Sequence, residues 1–242
     1  MNLIIDVGNS QVKVAVFKQD ELVSVETMQV DALLNHVKKK FKKDDTIDQI
    51  MVSSVGNLPV SAIESLKKYA PVMMLTRSLK LPFKNDYGSP DTLGVDRIAL
   101  IASASTKYPK QNCLVIDAGS CITYDFINQE GHYKGGAIAP GLKMRFKAMH
   151  AFTEGLPLVD SFELKDFIGT NTQECMISGA INGSVQEIDA VISQYQKKFK
   201  DLTVILTGGD SHFLSKRLKS SIFAHPNFLL KGVNCILELN KH

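Results

Sequence analysis

Apolar residues in this chain fall into short blocks punctuated by turn formers and charges. Leu3, Ile4 and Ile5 make a continuous run closed by Asp6, and beyond a GNS turn Val12, Val14 and Val16 alternate with other residues. A buried run followed by a period of two predicts a β-hairpin. Residues 31–42 predict a helix capped by Asp31. IMVS, Ile50 to Ser53, predicts a buried strand, and Val60 to Tyr69 a second helix closed by Pro71. The stretch LKLPFKNDYGSPDTLG, Leu79 to Gly94, is rich in Pro, Gly and Asp and predicts a loop, long enough to suggest a functional one. In DRIALIASASTKY, Ile98, Leu100, Ile101 and Ala104 share one helical face, and the first turn of that helix holds Asp96 and Arg97.

The pattern then restarts. LVIDAG from Leu114 leads into a strand CITYDFI, a polar turn NQEG and a glycine-rich GGAIAPG. Pro140 is suited to open a helix running through Met149. A long helix is predicted from Thr172 to about Lys197, followed by TVILTGGD, a strand ending in a glycine pair. Strands alternating with helices predict an α/β layer architecture. The hairpin whose first strand carries a late Asp occurs twice, at Asp6 and Asp117, which predicts two similar halves: domains 1–110 and 111–242.

Composition narrows the class. The 242 residues are 44% apolar and 22% charged, ordinary globular usage. Net charge is +3, and the clusters KKKFKK (Lys38 to Lys43) and KKFK (Lys197 to Lys200) sit at helical spacing beside acidic or apolar neighbours. They read as solvated helix faces, so no nucleic-acid partner is expected. Cys113, Cys121, Cys175 and Cys235 form no CxxC pair and the six His residues show no ligand spacing, which predicts free thiols and no structural zinc. There is no basic region ahead of the first apolar run, and no apolar stretch nears the roughly 18 residues of a membrane span. A cytoplasmic protein without a membrane partner is expected.

Chemistry gathers at the two Asp turns. Glycine allows a tight turn, amides and hydroxyls can face phosphate oxygens, and a carboxylate can hold a hydrated cation. Asp6, Gly8, Asn9 and Ser10 form one such set; Asp117, Gly119 and Ser120 form the other. Either alone is also what an ordinary turn uses. Their repetition, with TGGD at Thr207 to Asp210, favours a phosphate site. No GxxxxGK[ST] and no GxGxxG after a strand occur, which argues against P-loop and Rossmann nucleotide binding. The residues by themselves reach a phosphate-handling, duplicated α/β protein.

At Asp6 to Lys13, Asp117 to Thr123 and Thr207 to Asp210 the chain resembles the actin-like, sugar-kinase and heat-shock ATPase superfamily. The ordered set DVGNS, NDYGSPDTLGVDR, DAGSCITYD, GGAIAPGL, TEGLP (Thr153 to Pro157) and IGTNT (Ile168 to Thr172) resembles a type III pantothenate kinase. The resemblance implies a duplicated actin-like (ribonuclease H-like) fold with two domains around a central cleft. It also implies ATP-dependent phosphorylation of pantothenate to 4′-phosphopantothenate, the first step of coenzyme A biosynthesis.

Carried over by position, the resemblance assigns ATP to Asp6, Val7, Gly8, Asn9, Ser10, Gln11, Val12, Lys13 and Ser120. Asp96 becomes the general base, and Tyr87, Gly94, Val95, Asp96, Arg97 and Thr172 the pantothenate contacts. Asp117 would bind a monovalent cation (K+ or NH4+), with Mg2+ near Asp6, in a homodimer whose pocket draws residues across the subunit interface. Ser10 and Ser120 depart from the more usual Thr but keep the hydroxyl. Plainer roles remain open for several of these. Asp96 could simply favour a helix N-terminus, Arg97 could pair with an acid, and Tyr87 could cover the helix below. His132 and His150 are expected at the surface or in packing. A kinase for another small hydroxylated metabolite is an alternative that LGVDR and IGTNT argue against. A non-catalytic regulator is another, which loss of the base would favour; Asp96 is present.

Overall fold

The computed structural model describes residues 1–8, 11–54, 58–160, 163 and 166–241. Contacts divide the chain into two units: Met1–Pro109, Gly131–Tyr133 and the stretch from Asn227 onward form the first, Lys110–Glu130 and Lys134–Pro226 the second.

The first unit begins with β1 (Asn2–Val7), β2 (Val12–Lys18) and β3 (Glu21–Met28). A 3-10 turn, Val30–Ala32, leads into α1 (Leu33–Lys43). Then come β4 (Gln49–Ser54), α2 (Val60–Leu66), β5 (Val72–Met74), β6 (Lys84–Asn85), a 3-10 turn at Pro90–Thr92 and α3 (Val95–Lys107). The sheet order is β3-β2-β1-β4-β5. β1 lies at its centre, antiparallel to β2 and parallel to β4, with Leu3, Ile4 and Ile5 wholly buried. That is why its apolar run does not alternate. Leu3, Ile5, Val14, Val16, Leu33 and Val52 belong to one core cluster.

The second unit holds β7 (Cys113–Ala118), β8 (Cys121–Ile127), β9 (His132–Pro140), α4 (Leu142–Ala151), α5 (Thr172–Lys198), β10 (Thr203–Thr207), α6 (Ser211–Ser215) and β11 (Phe223–Ala224). Its strands run in the order β11-β10-β7-β8-β9. The first residues of β9, His132 and Tyr133, belong to the first unit and pair there with β6. α7 (Phe228–Asn240) also belongs to the first unit, packing on α3, β1 and β4. Its Gly232 abuts α3 so closely that a β-carbon would overlap the Ala99 carbonyl.

The duplication is visible residue by residue. β1 and β7 are both six residues long with the same sequence of buried and half-buried positions. Asp6 faces Lys13 on the antiparallel neighbour and Ser53 on the parallel one; Asp117 faces Thr123 and Thr207 in the same way.

Three local expectations are corrected. Asp31 does not cap α1: it lies inside the 3-10 turn, where the Ala32 amide already donates to the Gln29 carbonyl at 3.1 Å, and α1 starts at Leu33. α2 ends at Leu66 rather than Tyr69, because the chain tightens into a turn with Tyr69 N donating to Leu66 O at 3.0 Å. The glycine-rich GGAIAPG stretch is strand as far as Pro140, part of β9. It needs glycine there because a β-carbon on Gly136 would overlap the Tyr124 carbonyl of β8. Finally, Pro140 closes that strand instead of opening α4. The helix begins only after Gly141, where a β-carbon would overlap the carbonyls of Gly119 and Ser120.

Candidate active site

Asp6 is the fifth residue of β1, at the strand end that leads to the turn, and is half-buried. Burial pushes its carboxyl up to about 6; Lys13 and Ser53 pull it back, while the negative charge of Asp96 pushes it further up. The first hairpin and the start of α3 are therefore electrostatically joined within one unit. The hydroxyl of Ser53 is wholly buried and makes no hydrogen bond of ordinary geometry among the described residues. Val7 and Val12 point their side chains into the core, so only their backbone can meet a ligand. The amide of Gly8 closes the turn on the Gln11 carbonyl at 3.1 Å, which leaves that N–H unavailable to a phosphate; Gln11 is exposed. Asn9 and Ser10 lie outside the described residues.

The second turn is built alike. Gly119 N donates to Cys121 O at 2.9 Å, so that amide too is used in closing the turn, while Ser120 is exposed. Gly208 sits at φ +94°, and a β-carbon there would overlap both Asp117 Oδ1 and the Ala118 carbonyl. Asp210 N donates to Ala118 O at 2.9 Å, tying the TGGD turn to the end of β7. Burial raises the Asp210 carboxyl pKa and Lys143 opposes it. Opposite Asp117, Thr123 Oγ1 is buried without a hydrogen-bond partner among the described residues.

The third cluster lies at the start of α3. Gly94 is the residue before the helix, Val95 and Asp96 open it, and Asp96 Oδ1 accepts from the Arg97 amide at 2.8 Å. A side chain on Gly94 would overlap that same carboxylate oxygen. The approach to the helix is pinned by Arg77, whose Nε donates to the Leu93 carbonyl at 2.6 Å. Arg97 is only 5% exposed, and its guanidinium carbon lies 5.5 Å from the centroid of the Tyr87 ring. Tyr87 stacks on the buried Tyr133 at 5.9 Å. The first unit thus brings together Asp6, Lys13 and Asp96, and also Arg97 with Tyr87.

Thr172 is the exposed first residue of α5 in the second unit. Its local frame is rigid: the Asn171 side chain accepts from Glu174 N at 3.0 Å, and Glu174 Oε2 accepts from Thr170 N at 3.0 Å, a variant of the capping box. Of the two histidines, His150 donates from Nδ1 to the Leu156 carbonyl at 2.8 Å, a packing role, and His132 lies 2.8 Å from Asp86 Oδ2. Sequence reasoning missed Ser53 and Tyr133. The only signal for Ser53 was a hydroxyl ending an otherwise apolar strand. Tyr133 offered none, since its partner Tyr87 lies far away in the chain.

A sequence model of the type III pantothenate kinase family matches residues 2–194, a stretch that contains Asp6, Asp96, Asp117 and Thr172. The chain belongs to the type III pantothenate kinase family. A curated relative of that name from Christiangramia forsetii is 47% identical over 241 residues, covering 100% of this chain and 99% of its own. Among solved structures, one described as a Baf-family transcriptional activator from Campylobacter jejuni is 22% identical with a TM-score of 0.64, covering 99% of this chain and 98% of its own. An inorganic polyphosphate/ATP-glucomannokinase from Arthrobacter sp. strain KM is 15% identical with a TM-score of 0.52, covering 100% of both chains. At these identities the structures speak for the fold alone, which is the duplicated actin-like α/β fold shared with sugar kinases.

Proposed function

We propose that this member of the type III pantothenate kinase family transfers the γ-phosphoryl group of ATP to the 4′-hydroxyl of pantothenate, giving 4′-phosphopantothenate and ADP, the first step of coenzyme A biosynthesis. The observation that carries the reading is Asp96. Its carboxylate is fixed at the first turn of α3 by the Arg97 amide, with no side chain on Gly94 to displace it, and its charge reaches Asp6.

The hydroxyl oxygen forms a bond to the γ-phosphorus as the bond to the β,γ-bridging oxygen breaks, and the hydroxyl proton passes to Asp96. In a loose phosphoryl-transfer transition state the alcohol becomes acidic only late, so the carboxylate mainly aims the hydroxyl and takes the proton at the end. Positioning then outweighs basicity. Arg97 suits the substrate carboxylate because its planar fork binds two oxygens at once, and Tyr87 backs it. Gly94 and Val95 complete the acceptor pocket of the first unit; Thr172, in the second unit, is a separate proposed pantothenate contact. Lys13, with Asn9, Ser10, Gln11 and the backbone of Val7 and Val12, takes the phosphates, while Gly8 serves by closing the turn; Ser120, in the second unit, is a separate proposed nucleotide contact.

Two cations fit this reading. Mg2+ beside Asp6 would relieve a carboxylate whose ionisation burial opposes. Potassium or ammonium would take the Asp117 carboxylate together with the unpartnered Thr123 hydroxyl, an all-oxygen donor set suited to a hard cation. When bound, they offset negative charge on the nucleotide. A homodimer is part of the same proposal. Phe152, Phe167 and Ile168 in the second unit are 88%, 68% and 72% exposed, and the last two shortly precede Thr172, so a second copy would have apolar surface to cover there.

The test is direct. Purified protein is incubated with ATP, Mg2+ and pantothenate, with and without potassium, and the product is identified by mass, with glucose and glycerol in parallel. Phosphopantothenate formed faster with potassium is expected. Phosphorylation of glucose or glycerol instead, or no product from any acceptor, would overturn the proposal.

A further inference from the structure

Gly131–Tyr133 is a three-residue piece of the second half of the chain that belongs to the first unit. It meets the long loop that carries Tyr87. β6 pairs with it in parallel, Lys84 opposite His132 and Asn85 opposite Tyr133. Lys84 N donates to Gly131 O at 2.9 Å and Asp86 N to Tyr133 O at 3.0 Å. The side chains add to this ladder. His132 Nδ1 lies 2.8 Å from Asp86 Oδ2, and the Asn85 side chain accepts from the Tyr87 amide at 3.0 Å. Tyr133 is completely buried, with the Tyr87 ring stacked on it at 25° and Phe83 set edge-on at 6.1 Å. The order Tyr133, Tyr87, Arg97 is therefore one continuous stack running from a strand to the helix that carries Asp96.

A loop of this length left to itself would sample many conformations, and any ligand contacting Tyr87 would have to bear the cost of ordering it. Anchoring the loop beforehand removes that cost from binding.

We infer that Tyr133 and His132 are positioning residues for the acceptor pocket. Tyr133 holds the ring of Tyr87, and through it the guanidinium of Arg97, in the arrangement that receives a small anionic alcohol, while His132 latches the loop through Asp86. Neither touches the substrate. The inference rests on the proposed placement of pantothenate at Tyr87 and Arg97.

The experiment measures pantothenate affinity by calorimetry and the Michaelis constants of both substrates for five proteins: wild type, Tyr87→Ala, Tyr133→Leu, Tyr133→Phe and His132→Gln. Tyr133→Leu is expected to weaken pantothenate binding by about two- to ten-fold, the range of a lost aromatic pair, with the KM for ATP unchanged. Tyr133→Phe keeps the ring and should match wild type. His132→Gln, at a partly exposed site where folding is not at risk, should weaken pantothenate binding by roughly two-fold, the scale of an exposed ion pair. A purely structural role would instead lower the melting temperature and the amount of active enzyme without separating the two substrates. If Tyr87→Ala weakens pantothenate binding while Tyr133→Leu and His132→Gln do not, the positioning role is wrong and the pocket stands. If Tyr87→Ala has no effect, the pocket itself is misplaced and the inference falls with it. Should Tyr133→Leu fail to fold, unchanged affinity in His132→Gln overturns the inference.

Discussion

Gly94 and Asp96 are in steric register: the space a β-carbon on Gly94 would take is filled by Asp96 Oδ1. The Gly94 backbone, at φ −62° and ψ 137°, is one that alanine adopts readily. Gly94→Ala should therefore fold normally and push only the carboxylate aside. Misplacing a reacting group by about an ångström can cost on the order of a hundred-fold in rate. The expected result is a melting temperature like wild type with kcat reduced at least about ten-fold, read by steady-state kinetics and a thermal melt on the same preparation.

Asp6 gives a pH signature opposite to that of a salt-bridged carboxylate. Its pKa is raised from 3.8 to about 6 on folding, so the folded chain holds a proton that the unfolded chain has already lost. Below pH 3.8 the group contributes no penalty. Between there and pH 6 stability falls as pH rises, and above pH 6 the full cost is present, on the order of 2–3 kcal/mol. Asp6→Asn removes it. In ligand-free melts the variant should exceed wild type at pH 8, with the gap closing toward pH 4, while nucleotide binding is lost. A gap that grows on acidification would contradict the burial argument.

Gly208 combines a positive φ with a site where a β-carbon meets the Ala118 backbone as well as Asp117 Oδ1. A backbone obstacle cannot swing away as a side chain can. Gly208→Ala should destabilise the protein by roughly 1–3 kcal/mol and weaken nucleotide binding, visible as a lower melting temperature and a higher ATP dissociation constant. The contrast with Gly94→Ala, catalytic loss without destabilisation, makes the pair informative.

Thr123 presents a buried hydroxyl with no hydrogen-bond partner among the described residues. Replacing such a group by an apolar one of the same shape is neutral or stabilising. Thr123→Val should melt at or above the wild-type temperature yet lose part of its activation by potassium, measured as rate against potassium concentration. Undiminished activation would remove Thr123 from the cation site.

How much of this was legible beforehand follows from physical range. The hairpins at Asp6 and Asp117 declared themselves because a buried central strand is apolar throughout and must end at a turn. α5 could be read from its 3.6-residue stripe, including Met176, Ala180, Ile188 and Ile192, all buried. β3 escaped because it is mostly exposed and lacks a clear buried face. The placement of Gly131–Tyr133 with the first unit had no local signal at all, being set by stacking between Tyr87 and Tyr133. At the site, the residue types around both turns were readable. What was not readable is that the Gly8 and Gly119 amides are already engaged within their own turns, since that depends on geometry rather than on residue type.

The most direct measurement is turnover of Asp96→Asn with ATP affinity determined on the same protein. The change keeps size and shape but removes the proton acceptor. The account predicts phosphopantothenate formation reduced about a hundred-fold or more, with ATP binding essentially intact. An Asn variant that forms phosphopantothenate at the wild-type rate would leave Asp96 as a helix-terminal carboxylate and nothing more.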